Sequence, residues 1–269
     1  MLVESHRDFE RTMPYLFVIK SLVAGLIASF ACGLGALPLA FRRIDPERHT
    51  GIAYAMAGGL MFAASVYNLI LPGLTLSSTD VTLKDALPVI AGILMGAGFL
   101  GYTDRFLSPE RLAQRSWKRW GTKAQILIFV AMAVHSIPEG VAVGVGYASE
   151  EIYSNNLGNY IALAIAIHNI PEGLAVAVPM RAAGASLNRC FWAAFLTSLP
   201  QPIAAVPAGI ASWFFQPLMP ILMGFAAGAM IFLILLELIP EALTSETPTN
   251  IAWAFTIGFC GMLAIQVIL

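Results

Sequence analysis

The sequence predicts an all-α integral membrane protein with eight transmembrane helices. Of its 269 residues, 58% are hydrophobic and only 12% are charged, whereas a soluble domain carries about 25% charged residues. Runs of about 20 apolar residues, the length at which a helix crosses a bilayer, recur along the whole chain. The 15 Lys and Arg residues and the net charge of −1 provide no broad basic face, so the composition excludes a nucleic-acid-binding protein.

Polar or Pro- and Gly-rich breaks divide the chain into eight apolar runs, each predicted to form one helix of a single transmembrane domain, residues 1–269. The first run is too long for the core of a cleaved signal peptide, so we expect it to form the first span. The predicted helices cover residues 15–41, 51–72, 86–106, 124–146, 158–180, 190–214, 219–241 and 250–269. Residues 107–123 form the longest connection.

The distribution of basic residues predicts the orientation of these helices, because Lys and Arg are retained on the cytoplasmic side. The connections that follow the first, third, fifth and seventh helices hold 11 Lys and Arg residues, whereas the opposite side holds three. Both termini are therefore predicted to lie outside, and the 107–123 connection is predicted to be a cytoplasmic loop. The expected location of this multi-pass chain is the lipid bilayer of the cell (inner) membrane.

Two copies of one polar motif, His-x-Ile-Pro-Glu-Gly, interrupt the fourth and fifth predicted helices. An ionisable side chain at membrane depth costs on the order of 2.5–3.5 kcal/mol, so these residues need an explanation. His and Glu at positions i and i+4 lie on one helix face, and the proline between them frees a backbone carbonyl that is tolerated beside a polar cavity. The ionisable residues are His135, Glu139, His168 and Glu172.

Together these side chains form a set of two nitrogen and two oxygen ligands that suits zinc foremost, with iron, manganese, cobalt and cadmium compatible. Two carboxylates also neutralise one divalent cation, which lowers the cost of burying the charges. The pattern therefore predicts a divalent metal site inside the membrane. The alternative is that His and Glu pair within each helix as a buried ion pair or hydrogen bond.

The paired motifs HSIPEG and HNIPEG resemble those of the ZIP (Zrt-, Irt-like protein) divalent metal transporters, in particular a GufA-like bacterial branch. Segments 57–73 and 226–242 also resemble the second and seventh helices of that family. The resemblance implies a ZIP-like helix bundle, commonly a homodimer, that moves metal into the cytoplasm by an elevator-like alternating-access motion. Helices one, four, five and six would move against helices two, three, seven and eight.

By the same resemblance, the four motif residues form the transport site, and three further residues surround an adjacent second site that the two Glu bridge. These three residues are Ser136, Asn169 and Gln201. The chain departs from the family pattern at Ser136, where Asn is usual, and at Gln201, where Glu is usual. Because a neutral Gln201 would leave two dications poorly neutralised, we expect a single metal rather than a binuclear centre.

Three other polar residues lie near the prolines of the second and seventh predicted helices: Asn68, Glu237 and Glu241. They are candidate ligands at the entrance or exit of a metal pathway. The alternative is that they are interfacial residues near helix ends.

Other function classes fit the sequence less well. An intramembrane zinc-dependent hydrolase would also use His and Glu ligands, but the sequence has no HExxH motif, and its two symmetric Glu leave no distinct general base. A haem-binding redox subunit with His135 and His168 as axial ligands lacks the surrounding aromatic and propionate-binding pattern. No Walker A motif occurs, so ATP-driven pumping is not supported. The sequence therefore favours a secondary transporter that is not an enzyme, with the metal as its substrate and no cofactor.

Overall fold

The computed structural model describes residues 15–40, 46–76, 80–107, 123–153 and 156–268. These ranges contain helices and turns and no β-strand, which confirms the predicted all-α fold class. Most of the predicted 107–123 loop, residues 1–14 and residue 269 lie outside the described residues, so the orientation derived from the basic residues stays a prediction.

Within the described ranges, eight helices, α1 to α8, follow the order of the predicted spans. Helices α2 and α7 each contain a π-helical segment, and α6 is interrupted at Leu199. The bounds are Leu16–Leu34 (α1); Pro46–Ala64, Ser65–Ile70 (π) and Leu71–Thr75 (α2); Leu83–Leu107 (α3); Lys123–Tyr153 (α4); Leu157–Ala182 (α5); Leu187–Ser198 and Pro200–Phe214 (α6); Leu218–Leu233, Ile234–Leu238 (π) and Ile239–Leu243 (α7); and Pro248–Ile268 (α8). A 3-10 turn, Leu37–Ala40, follows α1.

Among the residues that the structure describes, helices α1 to α3 and α5 to α8 are long and apolar enough to cross a membrane. The fourth predicted span is present as α4, a continuous helix of 31 residues. The fold is therefore a helical membrane bundle, and the crossing by α4 stays a prediction.

The helices pack in two groups. Helices α1, α4, α5 and α6 form the first group, with its most extensive contacts between α4 and α6 and between α1 and α6. Helices α2, α3, α7 and α8 form the second group, in which α3 packs along α7 and α2 packs along α8. The two groups meet mainly where α4 contacts α7 and where α2 contacts α5.

Glycines bring the helix backbones into direct contact inside each group. A Cβ atom at Gly144 of α4 would lie 2.0 Å from the carbonyl oxygen of Ala205 of α6, and one at Gly96 of α3 would lie 1.9 Å from the carbonyl oxygen of Phe225 of α7. In the described part of the chain, every glycine whose added Cβ would come closer than 3.0 Å to another atom meets a residue of its own group. Small residues that allow backbones to approach are typical of tight helix packing in membranes. The groups are therefore tightly packed internally.

Prolines accompany the π-helical segments. Each π segment ends two residues before a proline, Pro72 in α2 and Pro240 in α7. Proline lacks the backbone N–H that would continue the helical hydrogen bonds, so the helix departs from regular geometry just before it. Short π segments within α-helices occur frequently at functional sites. In this chain they carry two candidate pathway residues, Asn68 and Glu237.

Candidate metal centre

Three of the four predicted metal ligands come together between α4 and α5. Glu139, His168 and Glu172 each offer one ligand atom, and these atoms all lie within 4.8 Å of one another. Their exposed fractions are 1%, 0% and 3%, so the cluster is enclosed by the bundle. The spacing of the motif explains this arrangement, because each His and Glu share a helix face and the two helices pack against each other.

The fourth predicted ligand, His135, lies outside this cluster in the described conformation. Its Nε2 atom lies 3.3 Å from Oε1 of Glu237, which the π segment of α7 carries. The side chain is buried, with 6% exposed, and its Nδ1 atom has no hydrogen-bond partner. His135 is thus held at the contact between the two helix groups, one turn of α4 before Glu139.

The two carboxylates of the cluster have different surroundings. Oε1 of Glu139 lies 3.2 Å from Nε2 of His168, and Oε2 of Glu139 accepts a hydrogen bond from the Gln201 side-chain amide. In contrast, Oε1 of Glu172 is buried without a hydrogen-bond partner. An unpartnered buried carboxylate oxygen is costly, so its position indicates that it faces a cation or a hydrogen-bond donor for part of the protein's working cycle.

The residues predicted around a second metal site instead form a hydrogen-bond network across α4, α5 and α6. The Asn169 amide nitrogen lies 3.1 Å from Oε1 of Gln201 and 3.0 Å from the carbonyl oxygen of Ala28. The Ser136 hydroxyl lies 3.1 Å from the carbonyl oxygen of Thr197. Asn169 and Gln201 are thus hydrogen-bonded to each other, and the Ser136 hydroxyl and the Asn169 amide also bond to backbone carbonyl groups.

Two residues of this network were missed by the sequence reasoning. The Ser198 hydroxyl accepts a hydrogen bond from the Asn169 amide, and the Ser29 hydroxyl of α1 lies 2.9 Å from the Ser198 carbonyl oxygen. The sequence feature that could have identified them is the pair of prolines in Ser198-Leu-Pro-Gln-Pro202. Pro202 has no N–H that could donate to the Ser198 carbonyl oxygen, so a side chain must donate to this oxygen instead. This network fixes the interrupted turn of α6 and places Gln201 against Glu139.

The three candidate pathway residues differ in their surroundings. Asn68 is 1% exposed, and both polar atoms of its amide have no hydrogen-bond partner. Glu237 contacts His135 with 33% of its side chain exposed. Glu241, on the last short segment of α7, is exposed. The structure therefore brings Glu237 beside a motif residue and leaves Glu241 at the surface.

The arrangement suits one divalent cation. Glu139, His168 and Glu172 offer oxygen and nitrogen ligands of the kind that zinc accepts, and tetrahedral zinc takes four such ligands. Two carboxylates would neutralise a dication, whereas the same carboxylates without a cation would repel each other in a low-dielectric setting. The site therefore combines a ligand set, a balanced charge and burial from water.

Comparison with known proteins identifies related sequences. A family model described as ZIP zinc transporter matches residues 112–266. The chain is 34% identical over 245 residues to the zinc transporter GufA of Myxococcus xanthus, which covers 88% of this chain and 95% of GufA. It is 34% identical over 249 residues to the zinc transporter ZIPB of Bordetella bronchiseptica, which covers 90% of this chain and 79% of ZIPB.

Longer relatives match over part of their own length. Human zinc transporter ZIP11 is 39% identical over 163 residues, which is 60% of this chain and 47% of ZIP11. A relative from Arabidopsis thaliana is 36% identical over 242 residues, and the chain spans 37% of the length of that protein.

Proposed function

Because the chain belongs to the ZIP zinc transporter family, we propose that it carries a divalent metal ion, zinc foremost, across a membrane into the cytoplasm. The metal is then a transported substrate and not a cofactor. Members of this family are transporters rather than enzymes, so the intramembrane hydrolase is set aside. Iron, manganese and cadmium are compatible with the same ligand types, and a homodimer in the inner cell membrane is the assembly and location that we propose.

The cluster of Glu139, His168 and Glu172 is the observation that carries this proposal. Its ligand atoms are within 4.8 Å of one another, so small side-chain movements would place each about 2 Å from one shared ion. The cluster is buried in the middle of two helices that carry the duplicated motif. A buried site with balanced charge is what a carrier needs to move an ion through a low-dielectric medium.

We assign His135 as the fourth ligand of the loaded site. It lies one helical turn before Glu139 on the same face of α4, and its buried imidazole has one ring nitrogen, Nδ1, without a partner. In the described conformation Nε2 contacts Glu237 instead. His135 would have to turn toward the cluster to complete a four-coordinate site.

A single metal ion per protomer is expected, because Gln201 occupies the position from which a second ion would be bound. Its amide donates to Oε2 of Glu139, and Asn169 in turn donates to its Oε1. A second dication bridging the two Glu would have to displace this amide without gaining a negative charge in return. The neutral side chain thus favours a mononuclear site.

The packing supports a movement of the first helix group against the second. Close glycine contacts join helices inside each group, so each group is suited to move as a rigid unit. The proposed ligands all belong to α4 and α5 of the first group, and the second group contacts them through α7 and α2. An elevator-like displacement of α1, α4, α5 and α6 would carry the ion while the second group stays in place.

Zinc uptake into proteoliposomes tests the proposal. We expect Glu139→Gln and His168→Ala each to reduce uptake by at least about 10-fold, because each variant removes a ligand from the site. Glu151→Gln, the same chemical change at an exposed position on α4, is the matched control and should transport at the native rate. Native uptake in both ligand variants at equal reconstitution would contradict the assignment of the cluster as the transport site.

A further inference from the structure

The contact between His135 and Glu237 joins the two helix groups. The other polar contacts of the motif residues and Gln201 stay within the first group, among α1, α4, α5 and α6. The contact of Nε2 of His135 with Oε1 of Glu237, at 3.3 Å, instead runs from α4 to α7. It lies where α4 and α7 form one of the two main contacts between the groups.

In the described geometry, His135 contacts Glu237 and takes no part in the cluster. Glu139, His168 and Glu172 form a set of ligand atoms within 4.8 Å, and His135 is not a member of that set. The ring therefore has to turn to reach an ion held by the other three residues, and a turn toward them leads it away from Glu237 on α7.

The local structure of α7 holds Glu237 at this place. Glu237 lies within the π segment Ile234–Leu238, three residues before Pro240. A π segment adds residues to a helical turn and so changes which side chains face the neighbouring helix. Two-thirds of the Glu237 side chain is buried, and its Oε1 atom faces His135 in the contact between the groups.

We propose that Glu237 is a positioning residue that competes with the metal for His135. This inference rests on the proposed transport function. Glu237 keeps the imidazole away from Glu139, His168 and Glu172, and metal binding exchanges the His135–Glu237 contact for a metal–nitrogen bond. The exchange replaces one non-covalent contact by one coordination bond, and the ion binds the ring nitrogen of the neutral imidazole that carries no proton.

The exchange would couple metal binding to the movement of the groups. While His135 contacts Glu237, α4 is tied to α7 and the first group is held in the described position. When His135 binds the ion, that tie is released and the loaded group is free to move. Glu237 thus acts on the ion through His135 and does not ligate the ion itself.

Zinc affinity of the purified full-length protein, measured by equilibrium dialysis with zinc alone, tests this competition. We expect Glu237→Ala to bind zinc at least about 10-fold more tightly than the native protein, because binding no longer has to break a buried contact with a charged group. Glu237→Gln retains an acceptor oxygen without the charge, so it should change affinity in the same direction by less.

A double-variant comparison separates positioning from a general structural effect. In a His135→Ala background, Glu237→Ala should leave zinc affinity unchanged, because the residue on which Glu237 acts is absent. Glu246→Ala, which removes a carboxylate just beyond α7, should bind like the native protein. Thermal unfolding of each variant checks that the bundle is retained.

The outcomes are distinct. Weaker zinc binding by Glu237→Ala would make Glu237 a metal ligand or an orienting partner of the bound His135, and it would overturn the competition. Unchanged binding, or tighter binding that persists in the His135→Ala background, would also overturn it. Failure of the native protein itself to bind zinc would instead reject the proposed function.

Discussion

At the scale of single residues, the two glutamates of the cluster are not equivalent. Glu139 is engaged at both carboxylate oxygens, by His168 and by the Gln201 amide, whereas Oε1 of Glu172 has no partner. Gln201 is itself held by Asn169. A neutral amide therefore occupies one side of Glu139 at the place where a negatively charged side chain would attract a second cation. We propose that this residue limits the site to one ion.

We predict that Gln201→Glu converts the site from one bound zinc ion to two. The substitution keeps the size of the side chain but replaces a hydrogen-bond donor with a carboxylate, which neutralises the added dication. Metal analysis of dialysed protein measures the number of ions per protomer. Gln216→Glu, the same change at an exposed position, should keep one ion, and two ions in the native protein would contradict the role assigned to Gln201.

At the scale of helices, close backbone contact depends on glycine. A Cβ atom at Gly144 would lie 2.0 Å from the Ala205 carbonyl oxygen, closer than any real contact allows, so α4 and α6 could not keep their present separation. Gly98 of α3 has no atom within 4 Å of the corresponding position. Alanine substitutions at the two positions therefore separate the effect of packing from the intrinsic preference of alanine over glycine for a helix.

We predict that Gly144→Ala destabilises the bundle by about 1–3 kcal/mol, the usual cost of forcing extra volume into a packed interior. Gly98→Ala should be neutral or stabilising by up to about 1 kcal/mol, because alanine favours a helix and meets no neighbour there. Denaturant unfolding in detergent compares both variants with the native protein. Equal stability of the two variants would argue against tight contact between α4 and α6.

At the scale of the whole molecule, the proposed transport depends on movement between two groups of helices. The groups meet at α2 and α5 through a small buried cluster that includes Ala63 and Ala164. Within the second group, Ala55 and Ala254 belong to another buried cluster, formed by α2, α7 and α8. A covalent link across the first cluster would join the groups, whereas a link across the second would not.

We predict that a thiol crosslink between Ala63→Cys and Ala164→Cys arrests zinc uptake and that cleavage of a reducible crosslinker restores it. The corresponding pair Ala55→Cys and Ala254→Cys should support uptake when linked, because both residues belong to the second group. The exposed Cys260 is replaced by Ser in both proteins so that it does not react. Undiminished uptake with the Ala63–Ala164 link in place would contradict movement of one group against the other.

The sequence predicted the features that depend on short-range pattern. Apolar runs predicted the helices, and the i, i+4 spacing in two motifs predicted that two His and two Glu would meet, because α4 and α5 follow each other in the chain. Glu139, His168 and Glu172 do meet, and His135 lies outside their cluster. It did not predict the contact between His135 and Glu237, which depends on how α4 packs against the distant α7. The sequence shows that the side chain of Gln201 is neutral, but the hydrogen bond from Gln201 to Glu139 depends on the interrupted turn of α6.

The π-helical segments were also beyond the sequence reasoning. Pro72 and Pro240 stand in the sequence, but a proline is compatible with a kink as well as with a π segment. Which one forms depends on the packing of α2 and α7 against their neighbours. The consequence is local, and it concerns two candidate pathway residues, because the π segments carry Asn68 and Glu237.

The proposed function depends on one metal ion that binds between Glu139, His168 and Glu172. The most direct test is anomalous X-ray diffraction at the zinc absorption edge from crystals of the full-length protein grown with zinc. We expect one strong anomalous peak about 2 Å from ligand atoms of these three residues, with His135 turned from Glu237 toward the ion. A peak elsewhere in the bundle, with this cluster unchanged and without metal, would contradict it.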